Sequence, residues 1–325
     1  MADLVYINSI ARSLENSLLG SEKITRMVFA DSYEDGMKVL AESGFGGGMT
    51  DGGHEAMIAA EDDKLSRFMS EVNFGHGIDS FGVRGDYHNA KVFAKSKYAR
   101  IDDVSAMLAP AGKQNISELK DKIFKDDYSS LPKLMADALK DIDVAFASGK
   151  RSPKYIDERL DKVMYADALD IARKGKSDSI IKYWQIEIDY ANVSDYLRCK
   201  FAGKSLSYMK SGLIDGGSID KDIFADMYDE PEDAFIDKMK FTCVADGIAE
   251  FTGGNRSFAR LEACKDNAQL NIFKRDRYDM FGVAPVAGYY IAKKTELKAV
   301  RMIAVLLKIN ADKSLIKERL REFYA

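Results

Sequence analysis

Residues 83–99 read VRGDYHNAKVFAKSKYA, and residues 186–202 read IEIDYANVSDYLRCKFA, the same statement made 103 positions later with no gap between the copies. Asp86, Tyr87, Asn89, Lys97 and Ala99 recur as Asp189, Tyr190, Asn192, Lys200 and Ala202. The apolar positions also map one onto one: Val83, Tyr87, Ala90, Ala94 and Tyr98 fall on Ile186, Tyr190, Val193, Leu197 and Phe201. Steps of four, three, four and four trace one face of an α-helix, so both segments are predicted to be long amphipathic helices. Near the C-terminus YYIAKKTELKAVRMIAVLLK repeats the stripe more loosely through Leu297, Val300, Ala304 and Leu307, with Glu296 where the copies have Asp. One helical unit used three times predicts the architecture before any single motif does.

The punctuation repeats as well. A break of small residues (Ala109, Pro110, Ala111, Gly112) leads into ISELKDKIFKDDY, Gly216 and Gly217 lead into SIDKDIFADMY, and the third copy runs into NADKSLIKERLREFY. Upstream, SEKITRMVFADSYEDGMKVLAE, DERLDKVMYADALDIARKG and EDAFIDKMKFTCVADGIAEF carry apolar residues at helical spacing. The expected fold is all-α, with three similar helical domains at residues 1–128, 129–230 and 231–325.

Composition narrows the class. Among 325 residues, 46% hydrophobic, there are only five prolines and few alternating β-branched runs, so strands are expected to be scarce. No stretch approaches the roughly 18 to 20 uninterrupted apolar residues of a membrane span. MADLVYINSIARSLENSLLG lacks the pattern of a secretory signal, and a cytoplasmic location is expected. With 48 basic against 52 acidic residues, the chain has no charge excess that calls for nucleic acid. Dense mixed charge reads as solvated helix faces, with pairs expected around Asp157, Asp161 and Lys162. Cys199, Cys243 and Cys264 are odd in number and lack ligand or disulfide spacing, which reads as reduced thiols.

The chemical motifs thin out on inspection. Gly203, Lys204 and Ser205 imitate the end of a phosphate loop, but Arg198 stands where its first glycine belongs. The stretch SGFGGGMTDGGH, with glycines from Gly44 to Gly53, reads as a flexible loop. His54, His76 and His88 form no ligand pair, and the run Glu61, Asp62, Asp63 reads as a solvated helix start. Asp86 and Asp189 are expected near helix starts, favoured by the helix dipole, with Asn89 and Asn192 beside them making repeated helix-to-helix contacts. No catalytic, cofactor-binding or metal-ligating residue is expected.

The run YINSIARSLENSLLG, the two DYxN helices and PVAGYYIAKKTELKAVRMI resemble the C subunit of the V-type and A-type rotary ATPases, the counterpart of the d subunit of the eukaryotic V-ATPase. Glu296, Leu297, Val300, Arg301 and Ile303 follow that family's terminal pattern; Ala299 replaces its usual Asn, the glycine stretch is longer, and Lys308, Ile309 and Asn310 depart from its basic-glycine ending. The resemblance implies a pseudo-threefold funnel around a central cavity. Such a part is a non-catalytic rotor subunit, one copy per complex, seated on the cytoplasmic face of the membrane rotor ring and receiving the central stalk, without spanning the membrane. Lys298 and Arg301, on the polar side of the best-matched helix, are the candidate subunit contacts. Two other readings stay open: a helical scaffold or adaptor of another kind, and a helical hydrolase or transferase using the glycine loop with His54 or His76.

Overall fold

A computed structural model describes residues 4–49, 52–71, 75–109, 112–149 and 152–324. Thr50 and Asp51 of the glycine stretch, and Pro110 and Ala111 of the first break, lie outside the described residues. Every regular element among the described residues is helical, as the sequence predicts. The chain divides into two compact units, Met1–Phe74 with Asp229–Ala325, and Gly75–Tyr228.

Helices α1 (Leu4–Glu15), α2 (Gly20–Val28), α3 (Tyr33–Glu42) and α4 (Gly53–Glu71) open the first unit. The second unit holds α5 (Ser80–Ala99), α6 (Ile116–Phe124), α7 (Lys133–Ala147), α8 (Pro153–Lys174), α9 (Asp178–Phe201), α10 (Leu206–Gly212) and α11 (Lys221–Asp226). The chain then returns to the first unit through α12 (Glu232–Met239), α13 (Ala245–Gly253), α14 (Phe258–Arg275), α15 (Ala284–Lys308) and α16 (Lys313–Glu318).

In the first unit α15 is the hub, packing against α1, α2, α3, α4, α14 and α16. Its Leu297, Val300, Ile303, Ala304 and Leu307 join Ile24, Met27, Leu40, Phe45, Met57 and Ile58 in one apolar core. In the second unit α8 lies against α5, α7 and α9. The predicted stripe is buried through Val83, Tyr87, Ala90 and Ala94 on α5 and through Tyr190, Val193 and Leu197 on α9. Phe201 departs from it: as the last residue of α9 it runs past the packed face and is 46% exposed.

The polar breaks work as helix starts. Asn115 accepts from the Ser117 and Glu118 N–H groups at the start of α6, Asp220 from Asp222 N–H before α11, and Asp312 from Ser314 N–H before α16. Each supplies an acceptor to the donors that a helix N-terminus leaves unpaired. The phosphate-loop lookalike is punctuation of the same kind: Gly203 takes φ +59° after α9, and Ser205 accepts from Tyr208 N–H to start α10. Asp157 and Asp161 correct the expectation of pairing among themselves and Lys162. Both reach across to α5, Asp161 to Lys91 and Asp157 to Lys95, each at 2.6 Å, because one carboxylate four residues from another finds repulsion rather than a partner.

Candidate functional site

Asn89 turns its amide onto one residue of the loop that follows α5. Its Nδ2 donates to the Ala109 carbonyl at 3.0 Å, and its Oδ1 accepts from Ala109 N–H at 2.8 Å. One turn earlier, Asp86 accepts from the Gln114 and Lys113 N–H groups at 2.8 and 3.1 Å. In the second copy Asn192 pairs with Ile214 in the same way, at 2.9 and 2.8 Å. Asp189 accepts from the Ser218 and Ile219 N–H groups at 3.0 and 3.1 Å, and from the Ser218 hydroxyl. The repeated Asp and Asn are therefore a clamp that fastens the returning loop to its own long helix, just ahead of the next N-cap.

A glycine makes room each time. A Cβ at Gly112 would stand 2.3 Å from Asp86 Oδ1, and one at Gly217 would stand 2.1 Å from Asp189 Oδ1. This corrects both expectations for these residues. Asp86 lies about two turns into α5 and Asp189 about three turns into α9, beyond reach of the terminal dipole, and their contacts are helix to loop. Both carboxylates are buried, Asp189 completely. Burial raises the Asp86 pKa, while the Gln114 and Lys113 N–H groups pull against it. The recurring lysines close each copy too. Lys97 pairs with Asp126 and Asp143 beside Tyr128, and Lys200 donates to the Tyr228 carbonyl at 2.8 Å.

The third copy has lost the clamp. Ala299 cannot bridge a loop, and α16 begins only a few residues after α15, so no long loop returns. Glu296 instead joins a buried ionic group. Lys293, 2% exposed, lies 2.6 Å from both Glu61 of α4 and Glu296. Glu61 also accepts from Lys64 and from Gly46 N–H, and Glu296 accepts from Leu19 N–H. Burial opposes the charge on Lys293, yet the two carboxylates hold its pKa above the usual value. Burial likewise opposes ionised Glu61, but hydrogen bonds from Lys293 and Lys64 hold its pKa down. Glu296, more deeply buried, is raised despite Lys293.

Two sequence readings are corrected here. Glu61 is mid-helix and buried rather than a solvated helix start, and its neighbour Asp62 pairs with Lys294. The glycine stretch is not simply flexible: Phe45 enters the core, Gly46 N–H binds Glu61, and Gly44, Gly46 and Gly47 take positive φ in a tight turn. Sequence reasoning missed Lys293 altogether. Its signal is a lysine one turn before Leu297 on the apolar stripe, three residues ahead of a glutamate.

The candidate contacts on α15 have different surroundings. Lys298 is exposed. Arg301 is tied to Glu55 of α4 by two close hydrogen bonds of 2.9 Å, which lower the Glu55 pKa.

Two of the three histidines have polar contacts. The His54 ring lies 3.0 Å from the Tyr33 hydroxyl and His88 Nε2 is 2.8 Å from the Met107 carbonyl, while His76 is half-buried before α5. Burial raises the thiols of Cys199 and Cys264, which favours their protonated form. Among the described residues no group of three or more His, Cys, Asp or Glu converges as a cation site, and no helix is long and apolar enough to cross a membrane.

Residues 7–319 match the family described as ATP synthase (C/AC39) subunit. The chain belongs to this family. It is 26% identical over 317 residues to the C subunit of the A-type ATP synthase of Methanosarcina mazei, covering 93% of this chain and 85% of that protein. It is 20% identical to the C subunit of the V-type sodium ATPase of Enterococcus hirae, over 98% of both chains. A half-length match, 27% identical over 164 residues, links it to the C subunit of the A-type ATP synthase of Desulfurococcus sp.. This C/AC39 protein is thus a structural rather than a catalytic member of an A/V-type rotary ATPase. Its buried polar groups hold loops and helices in place.

Proposed function

We propose that the chain is the socket of the rotor: it couples the central stalk to the membrane rotor ring, one copy per complex, on the cytoplasmic side. In this reading the repeats 1–128, 129–230 and 231–325 stand in pseudo-threefold order as a funnel around a central cavity. The observation that carries it is the clamp built twice, Asp86 with Asn89 and Asp189 with Asn192, each fixing the returning loop through the same four kinds of hydrogen bond. A part that transmits torque must not let its loops yield, and main-chain donors locked to buried carboxylates stiffen them at close-packed density. The names of the relatives support the placement in a rotary ATPase.

Lys298 and Arg301 are the proposed contacts of the α15 segment, with Lys298 the outward one and Arg301 positioned by Glu55. The test is affinity purification of the intact ATPase. The chain is expected to co-purify with stalk and ring at one copy per complex, and ATP-driven ion transport is expected to stop in its absence while ATP hydrolysis by the soluble head persists. Absence from the purified complex would sink the reading. Lys298→Glu with Arg301→Glu tests the contacts alone: unchanged occupancy in the complex removes them from the proposal.

A further inference from the structure

Each copy of the repeat ends on a buried tyrosine: Tyr128, Tyr228 and Tyr324. In the second unit the first two are tied down, the Tyr128 hydroxyl donating to Asp143 at 2.6 Å and the Tyr228 hydroxyl to the Lys204 carbonyl at 2.9 Å. The third is held more loosely. Tyr324 lies in the first unit with its ring against α15, where a Cβ at Gly288 would stand 2.5 Å from the hydroxyl and 2.9 Å from Cζ. The hydroxyl faces the Glu15 carboxyl of α1 closely enough to act on its titration, yet both the hydroxyl and Glu15 Oε1 are buried without a hydrogen-bond partner. Arg277 Nε, beside them, is a third such atom. Buried polar atoms are almost always paired, so a contact that leaves three of them unpaired is a weak one.

Residues 320–324, which end on this tyrosine, form no regular element and run beside α14. Arg321 pairs with Asp266 at 3.1 Å, Glu322 N–H donates to Asn267 Oδ1 at 2.8 Å, and the Glu322 carboxylate lies 3.2 Å from Lys274. Leu320 and Phe323 pack on the apolar core, only partly buried. Between this segment and Leu270 of α14, with Ala292, Glu296 and Ala299 of α15, lies a cavity of about 30 Å³, room enough for water. The segment therefore bridges its groove rather than filling it. Held by side chains and incompletely packed beneath, it has the marks of a part that opens on its own.

We propose that residues 320–324 are a releasable strap, closed in this structure, which lifts off α14 and α15 while the helices stay folded and does so more readily when Glu15 is ionised. Lifting uncovers Leu270, Ala292 and Ala299, so the strap switches the groove between a sealed and an open form. The charge dependence has a local cause. Arg12 pairs with Oε2 of Glu15, which leaves Oε1 buried and unpaired under Tyr324. The groups that face Glu15 are Arg12 of its own helix, Arg277 of the α14–α15 link and Tyr324 itself, while α15 meets Tyr324 with Gly288, which has no side chain. Burial outweighs all three and raises the Glu15 pKa above its ordinary 4.5. The closed form thus holds the Glu15 proton more tightly than an open, solvated form does. Acid closes the strap: the gain sets in as pH falls through the raised pKa and is complete below 4.5, where the open form is protonated too.

The inference rests on contacts within the first unit and not on the rotor reading. Native-state hydrogen exchange of the full chain tests it, with peptides of the strap and of α15 followed by mass spectrometry. In the wild type the strap amides are expected to exchange through openings that leave α15 protected. Tyr324→Ala removes the latch and Gly288→Ala fills its slot, so each is expected to speed strap exchange by about tenfold or more while α15 protection holds. Corrected for intrinsic rates, wild-type strap protection is expected to rise severalfold from neutral pH to pH 4.5, and Glu15→Gln, which cannot ionise, is expected to remove most of that rise. Strap amides that open only together with α15 make the segment part of the core and overturn the proposal. So does wild-type protection that stays flat with pH, or a rise of equal size in Glu15→Gln, since a merely frayed end has no reason to follow Glu15. The wild-type pH series needs no substitution, so it decides even where a variant fails to fold.

Discussion

A lysine that is 2% exposed is unusual, and Lys293 keeps its charge only because Glu61 and Glu296 surround it. Removing one partner from such a group strands the others in a poorly solvated interior. Glu61→Gln is therefore expected to lower stability by about 3 kcal/mol at neutral pH. The pH dependence follows from sign. The Glu61 pKa is held below its ordinary 4.5, so its contribution is complete above that value and is lost as pH falls through the folded pKa. Glu296, raised by burial, runs the opposite way: its burial penalty is relieved on acidification. The stability gap between wild type and Glu61→Gln should accordingly shrink below about pH 4.5, as denaturant titrations at several pH values can measure. A gap that stays constant into acid would show that Glu61 is not the titrating group.

At the scale of elements, the clamp makes the long helix and its returning loop a single mechanical piece. Gly217→Ala would drive a Cβ to within 2.1 Å of the Asp189 carboxylate, so the loop must lift and leave its N–H groups unpaired. The expected loss is about 1–3 kcal/mol, similar to that of Asp189→Ala. The double variant should cost far less than the two losses added, because each breaks the same contact. Additive losses in thermal or denaturant unfolding would separate glycine from clamp. The sequence made the repeat legible, since Asp, Tyr and Asn recur at fixed spacing. It hid most of the partners: apart from the Ser218 hydroxyl, the clamped groups are main-chain N–H and C=O, which no letter marks. Only the two glycines, Gly112 and Gly217, betray where a carboxylate comes close. The dipole expectation failed for a related reason, because α5 and α9 begin well before the repeated motif, among residues that share no pattern.

Across the whole molecule, the all-helical class was readable from periodicity and scarce prolines, while the long-range division was not. Helical spacing specifies a buried face but not which distant helix covers it. Thus α15, near the C-terminus, buries Leu297, Val300 and Ile303 among Ile24, Met27 and Leu40 from the opposite end of the sequence. The second unit, by contrast, is one uninterrupted segment. Expressed alone, residues 75–228 are expected to fold to a helical monomer with a cooperative melt, followed by circular dichroism. Residues 1–74 expressed alone are expected to lack one. A non-cooperative melt of the 75–228 fragment would mean that its core needs the rest of the chain.

This layout sets a schedule on the ribosome. Ile7, Ala11, Ile24 and Met27 emerge well over two hundred residues before the α15 surface that covers part of their unit. The 75–228 segment can mature during elongation while α1 to α4 wait with oily faces uncovered. Nascent chains of this protein should therefore be clients of a chaperone holding the N-terminal helices until α15 has left the exit tunnel.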